Sequence, residues 1–461
     1  MDKTLPSSNL TRFPAGSSRE ILHIAFPLML ASLSANFMLF CDRLILAHYT
    51  LEAMNAVAIA TMTISVFQFG LIAIASIAEV FVGQYNGAGM RRKMAEPVWQ
   101  MIWFALGSAI IFIPLALFSG PLIIPEHYQA LGLPFYQPLV AATPLVGLSA
   151  AISAFFIGRG KTRIVMYSTV AANVINLGLD IILIFGIPHL ISPMGTLGAA
   201  VASVLAQLVQ VIILLFLFLN EKNRKKYGTR HYYLNPSVLW NCLRVGAPNA
   251  IGHMVDIGAW AVLIDIMARV SNLHVTVTSI GTSVYILFAF ITDGLWKSVT
   301  TLSANFFGAQ NWRMVRKVCF SATKLLVILM LLLAIPLLMY PELLIKAFLG
   351  SAANVPDLAT LQKTLRVALI GLWLFFVADG ISWIFAGVLT AAGDTVFVMV
   401  ISSLSVWIFA VLPIYIWIVR PNPPGSAELI FFIITAYSIV NAVLFYWRYQ
   451  QETWRNALIM K

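Results

Sequence analysis

The sequence predicts an all-α membrane protein of twelve transmembrane helices arranged as two six-helix bundles, and three observations carry that prediction. The first is composition: of 461 residues, 60% are hydrophobic and 10% charged, with a mean hydropathy of +0.88. A water-facing surface needs about a quarter to a third of its residues charged, so a soluble enzyme is excluded. The second is run length: Val98 to Pro125 and Thr395 to Val419 carry no charge at all, and each exceeds the roughly 20 apolar residues that cross a bilayer. The third is an internal echo. Pro27 returns as Pro248 at an offset of 221, and Gly87-Ala88 returns as Gly308-Ala309 at the same offset, each of these pairs followed by a basic segment with Arg92 or Arg313. Gly160-Lys161-Thr162 returns as Gly393-Asp394-Thr395 at an offset of 233.

The first element needs a separate argument. Arg12 and Arg19, the apolar stretch from Ile21 and the triplet Leu33-Ser34-Ala35 imitate a cleavable signal peptide. The apolar stretch runs on to Phe40, which is helix length rather than a short h-region, and it reads as span one. Proline, glycine and charge then punctuate the chain so that spans start near residues 21, 53, 98, 134, 164, 196, 239, 275, 319, 363, 396 and 428. The expected organisation is an N-terminal tail at 1–20, an N-lobe at 21–220, a linker at 221–238, a C-lobe at 239–449 and a C-terminal tail at 450–461. Six spans per half is an even number, so both halves enter from the same side and the repeat is parallel. Two bundles with a cleft between them suit alternating access, which favours a transporter over a channel.

Charge fixes the expected orientation. Of 29 Lys and Arg, 22 fall on the side of the termini, including Lys3 and Lys461, six fall on the other, and Lys297 lies inside a span. The positive-inside rule places both termini in the cytoplasm, and the expected location is the cytoplasmic (inner) membrane of a bacterium. The densest basic stretch, Glu221 to His231, joins the halves; it reads as a topology anchor and lobe linker, with anionic-lipid binding as the alternative. The net charge of +11 is thereby a matter of topology, and no nucleic-acid partner is expected. Cys41, Cys242 and Cys319 are scattered and lack CxxC spacing, which leaves them without a disulfide or metal role.

An ionisable group inside a span costs about 3 kcal/mol or more unless it faces a cavity or a partner, so these residues are the functional candidates. Asn176 and Asp180 are four apart and share one face of span five. With Asp42 in span one and the Ser203 hydroxyl in span six they make a hard-oxygen pocket for a proton or a small cation such as Na⁺. The alternatives are helix-packing contacts for Asn176 and Ser203, and a structural pair with Arg43 or a helix end for the carboxylates. Asp256 and Asp379, mid-span in the second half, have no Lys or Arg within one helical turn; an unpaired carboxylate in oil is driven to take a proton or a cation. Asp293 and Lys297, spaced i, i+4, read as a mutually neutralising pair or a gating link, and Asp265 and Arg269 as a pair near a span end. His253 reads as a packed ring or a proton relay, and Glu79 as locally paired near the cytoplasmic end. Pro27 and Pro248 each remove a backbone hydrogen bond inside a span and are candidate hinges. Trp260, Trp296, Trp373 and Trp383 are candidates to line a substrate cavity through cation–π contacts, with interfacial or lipid-facing rings as the alternative.

The pattern resembles the multidrug and toxic compound extrusion (MATE) transporters. The residues that carry the likeness are Pro27 with Asp42, Val82 to Gly89, Asn176 to Gly186, Gly198-Ala199-Ala200, and Gly387 to Thr395. It covers nearly the whole chain and rests on order and spacing together. The resemblance implies two six-helix lobes forming a V, and efflux of organic cations or other amphiphiles in exchange for H⁺ or Na⁺, with no cofactor. It implies an N-lobe ion site at Asp42, Asn176 and Asp180 with Pro27 as its bending residue, as in one subgroup. Asp256 and Asp379 match acidic positions of another subgroup, whose first member is typically Glu. The expected partners are a small organic substrate and membrane lipid, with the chain working as a monomer. The alternative is a lipid-linked saccharide flippase of the same superfamily, although Lys297 is the only intramembrane lysine available to a pyrophosphate. Ala391-Ala392-Gly393-Asp394 only faintly echoes an intramembrane aspartyl protease, and no HExxH or GxSxG occurs; the chain is not expected to be an enzyme.

Overall fold

The computed structural model describes residues 10–349 and 358–457; Lys3, Lys461 and the outer parts of both tails lie outside them. Among the described residues twelve apolar helical spans cross the molecule, ten continuous and two bent. In the N-lobe they are α1 (Ser18–Tyr49), α2 (Leu51–Gly87), α3 (Arg91–Phe118), α4 (Glu126–Ala141 with Thr143–Ile157), α5 (Thr162–Phe185) and α6 (Gly195–Phe218). In the C-lobe they are α7 (Pro236–Val270), α8 (Asn272–Phe288 with Phe290–Gly308), α9 (Trp312–Met339), α10 (Leu358–Ala392), α11 (Thr395–Val419) and α12 (Leu429–Gln450). The bends in α4 and α8 are 40° and 45°. The shortest of these spans, 22 residues, is about 33 Å long at 1.5 Å per residue, enough for the hydrocarbon core.

Local chemistry sets the helix ends. The Ser17 hydroxyl accepts from the Glu20 N–H at 3.2 Å while the Glu20 carboxylate accepts from the Gly16 N–H at 2.6 Å, a reciprocal cap that starts α1. Thr50 ends α1 through its N–H to Leu46 and caps α2 by accepting from Ala53. Ser271, which answers to Thr50 at the offset of 221, caps α8 in the same way, accepting from His274. Gly160 and Gly393 turn the chain between α4 and α5 and between α10 and α11 with φ of +67° and +95°, a region that costs glycine little. The Lys161 N–H returns to the Phe156 carbonyl and the Asp394 N–H to Leu389, so the same turn recurs at the offset of 233. The offset grows from 221 to 233 because the α9–α10 connection is longer than its counterpart, and its helix, Pro341–Leu349, is longer than the short Gly120–Ile123 helix that answers to it in the N-lobe.

Several spans start earlier than the apolar pattern predicts. α9 begins at Trp312 rather than near 319, because Arg313, Arg316 and Lys317 occupy its first turns as a helix that has not yet entered the apolar zone. The linker likewise holds a short helix, Glu221–Tyr227, and α7 begins at Pro236.

Packing follows the repeat. Within the N-lobe α1 lies on α5, α4 on α2, α3 and α6; within the C-lobe α7 lies on α11, α10 on α8, α9 and α12. The lobes meet where α1 packs on α8 and α7 packs on α2, with the second half of α2 crossing the second half of α8. The interface is therefore two-fold: each lobe offers the same two helices to the other. Both chain ends lie at one end of the bundle, where Lys317 donates to the Ala15 carbonyl at 2.8 Å and Arg455 sits over the Trp312 ring at 5.1 Å. α1 and α7 each continue as one helix through Pro27 and Pro248.

Candidate functional site

Asn176 and Asp180 belong to the buried stripe of α5, Thr162, Val165, Ser168, Ala172, Asn176, Asp180 and Ile184, which recurs every three or four residues. Both are fully buried. Asp42 comes in from α1, half-buried, and its carboxyl meets that of Asp180 rather than Arg43. The Asn176 amide is best satisfied when its nitrogen donates to Asp180 Oδ2 at 3.2 Å and its oxygen accepts from the Ser203 N–H at 3.1 Å. α6 can come this close because Gly198 lies against the Leu183 carbonyl, where a Cβ would fall 2.6 Å from the oxygen. The other oxygen of Asp180 is buried without a hydrogen-bond partner. Two carboxyls in contact repel as anions; a proton shared between them or a cation held by both removes the repulsion.

The C-lobe brings Asp256 of α7 and Asp379 of α10 to one narrow cavity of about 30 Å³, together with His253, Trp296, Trp383 and Asn441. Asp379 Oδ2 accepts from the Trp383 indole N–H at 3.0 Å, and its Oδ1 accepts from the Ser438 hydroxyl at 3.5 Å. Asp256 Oδ1, Asn441 Oδ1 and the Trp296 indole N–H are buried with no partner. The volume admits one or two waters or a small cation and falls far below the ~300 Å³ of a drug-sized pocket. The oxygen-rich lining suits a proton or a hard cation. Among the described residues there is no cluster of three or more His, Cys, Asp or Glu that could hold a metal ion.

The other sequence candidates divide. The His253 ring stacks on Trp383 at 5.8 Å and 11° and meets Trp296 at 5.9 Å, so it is packed, but within the cavity. Trp260 stacks on Tyr285 inside the C-lobe, and Trp373 donates to the Met330 carbonyl at 2.9 Å; neither lines this cavity. Asp265 pairs with Arg269 at 2.9 Å on the surface. The expected Asp293–Lys297 pair is not formed: among the described residues no ion pair involves either one, although i, i+4 spacing permits it. Glu79, expected to pair locally, is buried and forms no ion pair among the described residues. Lys297 instead acts electrostatically on both its helix neighbour Asp293 and Glu79 of the opposite lobe. Spacing along a single helix could not reveal that a second carboxyl acts on the lysine from the other lobe.

Ser438 and Asn441 of α12 also reach the C-lobe site and, being uncharged, do not stand out in the sequence. Their signal was a polar pair three residues apart in an otherwise apolar span. A larger cavity, about 870 Å³ and almost wholly apolar, lies apart from all four carboxyls, between α2, α3 and α7. Exposed Leu106, Ile111 and Ile251 line it, so in a bilayer lipid chains would meet it.

Comparison with known proteins agrees with this architecture. The family model described as MatE matches residues 27–182 and again 259–416, once in each lobe. The chain is 27% identical over 398 residues to a probable multidrug resistance protein NorM of Thermotoga maritima, covering 84% of this chain and 83% of that one. It is 25% identical over 414 residues to a probable NorM of a Synechocystis strain, covering 85% of each. A crystal structure of MATE in complex with MaL6 superposes with a TM-score of 0.85 over 96% of this chain and 98% of that one, at 15% identity. With both matches falling on the two halves of the repeat, this multi-pass membrane protein belongs to the MatE family, the MATE transporters.

Proposed function

We propose that the chain is a secondary active multidrug efflux antiporter, exporting organic cations or amphiphiles in exchange for H⁺ or Na⁺ by alternating access. The observation that carries this reading is a carboxyl pair in each lobe, one member buried and the other half-buried, each pair with an unpartnered oxygen and neither with a basic partner among the described residues. Ion occupancy at Asp42 and Asp180, or at Asp256 and Asp379, changes the charge buried in a lobe by one. That change favours one tilt of the lobes over the other, and differential ion affinity of the two tilts is what drives the exchange. Asn176 and Ser203 orient the N-lobe carboxyl; Trp383 and Ser438 orient Asp379. Pro27 and Pro248 are the hinges, each without one backbone bond where its helix packs on the other lobe, Pro27 between the Ala25 and Met29 that meet Gly294, and Pro248 between the Gly246 and Met254 that meet α2. The relatives' names as multidrug resistance proteins support the substrate class. The basic loops support a cytoplasmic location of both termini in an inner membrane, with lipid around a single working chain.

The test uses proteoliposomes preloaded with a fluorescent organic cation, with a proton gradient and a Na⁺ gradient imposed separately. Efflux should follow one of them, and Asp42→Asn and Asp379→Asn should each remove the response. If both variants move the dye at the parental rate, the carboxyl pairs do not couple ions to transport.

A further inference from the structure

Where α2 crosses α8, at the end of the bundle that carries both termini, two side-chain amides bridge the lobes reciprocally. Gln84 on α2 donates from Nε2 to the Ala391 carbonyl at the end of α10, 2.8 Å away. Asn305 on α8 donates from Nδ2 to the Gly158 carbonyl at the end of α4, also at 2.8 Å. The two donors are related by the offset of 221 and the two acceptors by that of 233, the same offsets that relate the lobes, so the second bond is the first turned through the pseudo-two-fold axis. Both acceptors are helix-end carbonyls that no intrahelical N–H takes up.

The backbones repeat the exchange. A Cβ on Gly87 would strike the Asn305 carbonyl, and a Cβ on Gly308 would strike that of Gln84. Gln84 and Asn305 are each 1% exposed, and Asn305 Oδ1 accepts in addition from the Asn86 amide at 2.7 Å. Bonds within a lobe survive when the lobes rock. These cross the interface, and any motion that parts the lobes at this end must break all three, leaving the Gln84 amide and two helix-end carbonyls to find water while the Asn305 amide keeps only its bond to the Thr301 carbonyl on its own helix.

We propose that Gln84 and Asn305 form a two-fold latch that holds this end of the transporter closed and is broken and remade in every cycle. The proposal rests on the alternating-access reading, but its test registers lobe separation and needs no transport, so its failure would leave the efflux assay above untouched. Two native cysteines serve as reporters. Cys242 on α7 is buried next to Tyr85 and Glu96 of the opposite lobe, one turn before Gly246, which packs on Ile74 and Ile77 of α2. Cys319 on α9 is buried within the C-lobe against Tyr449.

The full chain carrying Cys41→Ser is placed in sealed vesicles with the terminal end accessible to a membrane-impermeant maleimide. Gln84→Ala with Asn305→Ala, which removes three bonds between the lobes, should raise the labelling rate of Cys242 about tenfold, as their loss at the weak end of the hydrogen-bond scale predicts, with Cys319 unchanged. Gln84→Asn with Asn305→Gln, which keeps a donor at each position, should fall between the parent and the double alanine variant. Should the double alanine variant not assemble, Gln84→Ala alone should raise Cys242 labelling about threefold. Unchanged Cys242 labelling in a folded alanine variant would overturn the latch. So would a parallel rise at Cys319, because it would mean loosening inside the lobe rather than separation of the lobes.

Discussion

The carboxyl pairs of the two lobes sit in a repeated scaffold at positions that do not repeat. At an offset of 221, Asp42 corresponds to Leu263 and Asp256 to Ala35; at 233, Asp180 corresponds to Pro413 and Asp379 to Val146. The turns and contacts around them do correspond: Thr50 with Ser271, Gly87 with Gly308, Gly160 with Gly393. Caps, positive-φ turns and close helix crossings answer to backbone geometry that both lobes share, whereas a buried charge needs only a cavity. The two pairs also differ in kind. The N-lobe carboxyls touch each other and are braced by Asn176; those of the C-lobe border a cavity with room for water.

The comparison can be broken most sharply by neutralising one pair at a time. Asp180→Asn and Asp379→Asn should each lower gradient-driven efflux in proteoliposomes about tenfold or more, the usual scale of a lost coupling energy. If only one of them does so, the other pair is scaffold. The equivalent turns supply the next contrast. Asp394 is held by Arg448 at 2.8 Å with little exposure, while Lys161 in the same turn of the N-lobe is exposed and has no ion pair among the described residues. Asp394→Asn should cost about 2 kcal/mol of stability in detergent, less than the loss of a fully buried pair, and Lys161→Gln no more than about 0.5 kcal/mol. Equal shifts in thermal unfolding would mean that Arg448 contributes nothing to the C-lobe turn.

Asn176→Ala removes the amide between Asp180 and Ser203 and should cost about 1–3 kcal/mol, since it strands a buried carboxyl oxygen. Unfolding midpoints in detergent would register this, and a neutral result would mean that water replaces the amide. The smallest effect is expected at Ser438→Ala, whose bond to Asp379 is long at 3.5 Å. Half-saturation of efflux by the coupling ion should move by no more than about threefold, in line with a neutral hydroxyl at the weak end of the hydrogen-bond scale. A larger shift would make Ser438 a direct ion ligand.

Much of the site can be read from one-dimensional spacing. Asn176 and Asp180 had to share a face of α5, and they do, because a helix places i and i+4 together wherever it packs. The same rule brought Asp265 to Arg269, yet it did not bring Asp293 to Lys297. There a second lobe supplies Glu79, a further carboxyl under the influence of the same lysine. Trp296 and Trp383 reached the cavity beside Asp256 and Asp379 while Trp260 and Trp373 turned into the lobe, since all four rings are apolar enough for either fate and helix rotation chose between them.

The sequence by itself determined the solvent, the number of spans and the repeat, because hydropathy over about 20 residues and turn chemistry are local properties that act before any helix meets another. Only the tertiary structure decided which carboxyls become neighbours, which amides cross from lobe to lobe, and how much room is left beside Asp256 and Asp379. Those outcomes depend on the distance and rotation of helices far apart in the chain, and small residues such as Gly87, Gly198 and Gly308 set that distance by letting backbones touch.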